Sequence, residues 1–357
     1  MSAEVKQTKR IEYIDALRGF TMILVVLHHV SLLGFCVESE LGRWIVEFRM
    51  PLFFFISGFV LYKSSQVWNF SNILVFLKKK ITVQILSPFI FFLIYIYVYN
   101  ENINEFMTPN KAGYWFTFML FSYFLIYILC QVLFDKFKVK SGIRDLILVF
   151  VGLLVFFSAY ALSYLFLEKD NQWAGLIGGA NLKYFLFFGL GTLVKKHFDT
   201  FERWLDATPL VLVSISAYFL MNVFYEPINN SGAIFRFLFI LLTACTGIIV
   251  VFAFFRKYQA CFTSNQLAGK FLQTIGRRTL DIYLLHYFFI PMQMRSAFTI
   301  FSEYNLPLIE FVCSLTVAFL IIAVCLGVSS VLRLSPTLGW FLFGAKREYV
   351  DKRLVSR

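Results

Sequence analysis

Arg18 and His29 are the residues of this chain whose types and spacing point most directly to chemistry. Both fall in one apolar run from about 14 to 36, where ionisable side chains are costly and therefore mark function. Eleven helical steps of about 100° return to within about 20° of the starting direction and rise about 16 Å, so both side chains share a face at different membrane depths. Asp15, three residues before Arg18, joins that face. A cation near one surface and an imidazole deeper in suit a site that receives a charged reagent at one side and handles protons within. His28 points about 100° away, toward a neighbouring helix.

The element carrying these residues has to be a membrane span. With 59% hydrophobic residues, 15% charged residues and 46 Phe in 357, the chain lies far outside the soluble range. Apolar stretches long enough to cross a hydrocarbon core recur along its whole length. Hydropathy predicts an all-α polytopic membrane protein of about ten transmembrane helices, over 14–36, 44–62, 81–100, 114–134, 144–167, 180–195, 208–225, 234–255, 278–299 and 308–332. No polar stretch is long enough for a soluble domain. Residues 1–357 therefore read as one integral-membrane domain with short cytoplasmic tails at about 1–12 and 334–357.

Charge tests the topology independently, because Lys and Arg gather in cytoplasmic loops. With both termini inside, the alternating breaks place all but seven of the 33 basic residues in the cytoplasm, including the Lys63 to Lys80 segment. The seven are Arg43, Arg49, Lys111, Lys169, Lys183, Arg236 and Arg295. The net charge of +12 then follows from topology and attraction to anionic headgroups of the lipid bilayer, without a nucleic-acid partner. The first apolar segment is too long and too polar for a cleaved signal peptide. Six cysteines without Cys-x-x-Cys spacing and four histidines without helical pairing imply no disulfide framework and no metal site. Trp44, Trp68, Trp115, Trp173, Trp204 and Trp340 fall near span ends, as an interfacial belt requires.

Further polar residues join the candidate site. Glu47 and Arg49 stand at the outer start of the second span and would line an outer vestibule, with Pro51 either in the first turn or kinking the helix. Ser57-Gly58 offers a small-residue packing contact, and the Ser57 hydroxyl is a possible partner for an acceptor or for His29. In the ninth span Tyr283 and His286 lie close to one face, five residues or fewer from Asp281, as a structural cluster or as part of the site. Arg277 and Arg278 at that span's inner end would meet nucleotide phosphates or serve as positive-inside anchors.

Three blocks resemble one family. Tyr13-Ile14-Asp15-Ala16-Leu17-Arg18-Gly19 with the run to His29 is similar to the first-helix signature of the acyltransferase-3 family, an Arg followed eleven positions later by a His. Arg49-Met50-Pro51-Leu52-Phe53-Phe54-Phe55-Ile56-Ser57-Gly58-Phe59 resembles its second-helix segment, and Thr279-Leu280-Asp281-Ile282-Tyr283-Leu284-Leu285-His286 its late helix. The resemblance implies a bacterial inner-membrane O-acyltransferase that moves an acetyl or similar short acyl group from cytoplasmic acetyl-coenzyme A to a hydroxyl of a surface or exported glycan, or of its lipid-linked precursor. His29 would then be general base or covalent acyl relay. Arg18 would clamp a coenzyme A phosphate or the thioester carbonyl, or else snorkel as an anchor. Two other classes stay open: a multispanning transporter of a small anionic solute, and a non-catalytic membrane component of glycan assembly. The sequence names neither the glycan, nor the acyl group, nor the oligomeric state.

Overall fold

The computed structural model describes residues 11–36, 40–166, 178–225, 233–292 and 307–344. Among them every regular element is helical, as a bilayer demands of a chain that must satisfy its own backbone polar groups. Seven helices are long and apolar enough to cross a membrane, and an eighth crossing arises if Phe198–Asp206 and Thr208–Val223, bent by 76°, form one span. The chain is an all-α, multi-pass membrane protein. The tail basic residues Lys6, Lys9 and Arg10, those beyond 344, and Lys169, Trp173 and Arg295 lie outside the described residues.

In chain order the α-helices are α1 (Glu12–His29), α2 (Glu40–Leu61), α3 (Phe70–Ile81), α4 (Ser87–Tyr99), α5 (Trp115–Lys136), α6 (Ser141–Phe166), α7 (Phe185–Lys196), α8 (Phe198–Asp206), α9 (Thr208–Val223), α10 (Ala233–Lys257), α11 (Leu267–Arg277), α12 (Thr279–Leu285), α13 (Pro307–Leu332) and α14 (Pro336–Phe343). Two of the ten expected spans take another form. The sixth is a 3₁₀ turn over Gly179–Tyr184 running into the 12-residue α7, which at about 18 Å is short of the hydrocarbon core. The ninth is α12 followed by a 3₁₀ turn over His286–Phe288, and residues 293–299 lie outside the described residues.

The third span starts earlier than hydropathy predicts. Helix is continuous from Phe70 to Tyr99, α3 and α4 being joined by a π-helical turn over Thr82–Leu86. Asn69 starts it upstream by accepting from the Asn72 amide at 2.9 Å, a side-chain cap that satisfies an otherwise orphan donor. Lys78, Lys79 and Lys80 are therefore the last turn of α3 before this π-helical junction and not a loop. The stretch expected as a tail from 334 begins with α14, whose Phe343 ring packs 6.0 Å from Phe91.

The first helix is the hub. Nearly all of α1 is buried, and it crosses α11 at a glycine pair. A side chain at Gly19 would strike the Leu272 carbonyl, and one at Gly276 the Asp15 carbonyl, so only glycine lets these backbones touch. The expected small-residue contact at Ser57-Gly58 is present too: Gly58 lies against the Phe188 carbonyl of α7, and Gly191 of α7 against the Phe55 carbonyl. Pro51 sits inside α2, not in its first turn. Directly after His29 the α1 helix widens into a π-helical segment, Val30–Phe35, a geometry frequent at functional sites. Ser31 within it donates to the Glu310 carboxylate at 2.8 Å, and Ser314 donates to the same oxygen at 2.9 Å. These bonds tie the His29 end of α1 to α13.

Candidate active site

Two adjacent side chains from a distant segment, His286 and Tyr287, meet His29. Its Nδ1 lies 3.0 Å from His286 Nε2, the rings stack at 5.1 Å, and its Nε2 lies 3.3 Å from the Tyr287 hydroxyl. The protonation pattern follows from what surrounds His286. Its Nδ1 faces two carbonyls, Ile282 at 3.0 Å and Tyr283 at 2.9 Å, and carbonyls only accept, so this nitrogen carries the proton. In a neutral ring the other nitrogen is then an acceptor. His29 Nδ1 must donate to it, which leaves His29 Nε2 as a bare lone pair.

Tyr287 has a second partner. Its hydroxyl donates to the Gly113 carbonyl at 3.2 Å, which the Tyr283 hydroxyl also reaches at 3.0 Å. One proton serves either Gly113 or His29, so an incoming hydroxyl can take the Nε2 position while Tyr287 keeps Gly113. Gly113 holds this place for a steric reason: its φ is +92°, and a Cβ there would overlap the Tyr287 ring. His286 is wholly buried, whereas His29 is half-buried.

At the other end of the α1 face, Arg18 donates through Nη2 to Thr279 Oγ1 at 3.2 Å and holds Asp15 Oδ1 at 3.6 Å. It lines a cavity of about 220 Å³ with Lys80, Gln84, Ser57, Thr117 and Tyr283. Lys80 swings over the Phe124 and Phe76 rings, at 4.4 and 5.4 Å. Gln84 is 5% exposed and its Oε1 has no hydrogen-bond partner. The cavity thus offers two cations at one end and an unanswered amide oxygen along its wall. Its lining includes Tyr283, which shares the Gly113 carbonyl with Tyr287. A second, polar cavity of about 320 Å³ beside Lys63, Arg144 and Lys196 has much of its charge matched internally, by Arg144–Asp135 and Lys196–Asp145 ion pairs of 2.6 Å.

The residues singled out from sequence separate into groups. His29, His286 and the Tyr283 backbone come together, and Arg18, Asp15 and Ser57 gather at the cavity, although the Ser57 hydroxyl donates to the Phe53 carbonyl at 2.8 Å. Arg49 is buried, within electrostatic reach of His28, His29, Tyr287 and Glu47. Glu47 is half-buried near Lys183, Arg236 and Arg49. Arg277 is exposed, with Nε on the Gln273 carbonyl at 3.2 Å. Arg278 belongs to a separate cluster: Asp281 receives Arg333 at 2.8 and 2.7 Å and Arg278 at 3.2 Å. That cluster, rather than Tyr283 and His286, is where Asp281 points. Sequence reading passed over Tyr287, Gly113, Thr279, Lys80 and Gln84. Only Tyr287, adjacent to His286, carried a local signal.

A family model described as an acyltransferase domain, Acyl_transf_3, matches residues 11–327, from the start of α1 nearly to the end of α13. No curated protein and no solved structure matches the chain.

Proposed function

The chain belongs to the acyltransferase-3 family, and on that premise we propose that it moves an acetyl or similar short acyl group from acyl-coenzyme A to a hydroxyl of a surface or exported glycan, with His29 as general base. The bare Nε2 of His29 is the observation that carries this reading. Acyl transfer to an alcohol needs a base for the hydroxyl proton, and the carbonyls of Ile282 and Tyr283 preset that base through His286.

In this reaction the acceptor oxygen attacks the thioester carbonyl as its proton passes to His29 Nε2. The imidazolium that forms keeps its Nδ1–H on His286 Nε2, and it returns the Nε2 proton to the departing thiolate sulfur. Stacked neutral His286 orients the ring without fixing the positive charge on it, so the proton stays transferable. The donor would thread the Arg18 cavity, with phosphate oxygens at Arg18 and Lys80 and an amide N–H of the pantetheine arm at Gln84 Oε1. The distribution of Lys and Arg supports a cytoplasmic position for this mouth, in a bacterial inner membrane, and an outward-facing acceptor approach to His29.

The test uses membranes containing wild type or His29→Ala at matched levels, supplied with labelled acetyl-coenzyme A and candidate glycans. Wild-type transfer that falls at least about 100-fold in the variant is expected. Absence of coenzyme A-dependent labelling by the wild type across the acceptors would contradict the proposal and favour transport of a small anion. Undiminished labelling with His29→Ala would favour a non-catalytic role.

A further inference from the structure

Arg49 is 7% exposed, yet its Nε and Nη1 have no hydrogen-bond partner. Buried guanidinium donors left unanswered are expensive, because a charge taken out of water needs compensation. The protein answers a comparable charge elsewhere: Asp281 takes both nitrogens of Arg333's fork and one of Arg278. Arg49 has been given no such carboxylate. Its electrostatic neighbours are the neutral groups His28, His29, Tyr184 and Tyr287, and Glu47 two residues away on the same helix. These unpaired donors therefore lie within electrostatic reach of the base, beside Tyr184, whose ring stacks on Phe54 at 5.4 Å and on Trp115 at 5.9 Å.

Resting on the acyl-transfer reading above, we propose that Arg49 is a catalytic residue that holds the oxyanion of the tetrahedral intermediate through Nε–H and Nη1–H. The carbon–oxygen bond to the acceptor forms while the carbonyl π pair moves onto the oxygen facing Arg49, and the acceptor's proton goes to His29 Nε2. Collapse restores the carbonyl, breaks the carbon–sulfur bond and returns that proton to sulfur. Nε and Nη1 are without a hydrogen-bond partner before the reaction because their partner is the charge that develops during it, the condition under which a preorganised donor favours the transition state over the ground state.

The experiment measures transfer from labelled acetyl-coenzyme A by wild type, Arg49→Ala and Arg49→Lys in membranes, with insertion and melting temperature recorded. Loss of a donor to an oxyanion predicts a fall in kcat of about 100- to 1,000-fold for Arg49→Ala with the donor KM within about threefold, and a smaller fall for Arg49→Lys, which offers a charge without the fork. Added guanidinium should restore part of the Arg49→Ala rate, and equimolar ammonium less. A changed KM with unchanged kcat, or a lost rate that guanidinium leaves untouched, would overturn the assignment. If Arg49→Ala does not insert, a kcat of Arg49→Lys equal to wild type would do the same. A wild type without coenzyme A-dependent transfer defeats the underlying reading instead, so the two failures are distinguishable.

Discussion

The two ends of the α1 polar face are built on opposite principles. At His29 the neighbours dictate the role of each ring nitrogen through a chain of bonds that begins at two backbone carbonyls. At Arg18 the side chain is 29% exposed, with Asp15 Oδ1 at 3.6 Å and Thr279 Oγ1 at 3.2 Å among its neighbours. One end is deeply packed with its proton positions set by neighbours, and the other is a partly exposed cation. Fixed geometry suits the step in which a proton must move, because a small misplacement there is costly. A partly exposed cation suits the capture of phosphate oxygens, where charge matters more than position.

This contrast predicts that damage near His29 appears in turnover and damage near Arg18 in affinity. The largest effect is expected for His286→Ala, which frees the His29 tautomer: kcat falls roughly 100-fold with KM little changed, and His286→Gln, whose amide oxygen can accept from His29 Nδ1, regains part of the loss. Steady-state transfer kinetics on matched membranes read both. Arg18→Gln should raise the KM for acyl-coenzyme A about tenfold, the worth of one charged hydrogen bond, while kcat stays near wild type; equal losses in kcat would dissolve the contrast. Asp281→Asn sharpens it as a control, because the Arg333 and Arg278 cluster touches neither end. Its expected outcome is a stability loss of roughly 2 kcal/mol, seen as a lower melting temperature with unchanged kinetics.

The smallest effect concerns the connection that presents Gly113. Burial pushes the Lys111 ammonium down to about 8, against about 10.4 in an unfolded chain. Between those values the unfolded chain binds more protons, so stability rises with pH from about 8 to about 10.4. Wild type should gain melting temperature from pH 8 to 9.5 relative to Lys111→Met, measured in detergent.

What the sequence disclosed was what lies within one helix. Arg18, His29 and Asp15 share a face because a helix repeats every 3.6 residues, and that arithmetic needs no tertiary structure. The glycine contact beside Ser57 was legible for the same reason. The tautomer chain was not, since Tyr287 and Gly113 are 174 residues apart and only the fold sets them together. Hydropathy also placed the start of the third span too late: Lys78 to Lys80 look like a break by charge, yet the Asn69 cap commits the helix upstream and the Lys80 ammonium lies over the Phe124 ring. Asp281 shows the converse, a residue whose neighbours in sequence suggested the site and whose charge is taken by Arg333, 52 residues away.

The central claim is the bare Nε2 of His29, and the most direct measurement is nitrogen-15 NMR of histidine-labelled protein. The chain has four histidines, so His→Gln variants assign each ring. The account predicts that His29 carries its proton on Nδ1, with Nε2 showing the shift of an unprotonated nitrogen, and that His286→Ala disturbs this pattern. A proton on Nε2 of His29 in the wild type would contradict it.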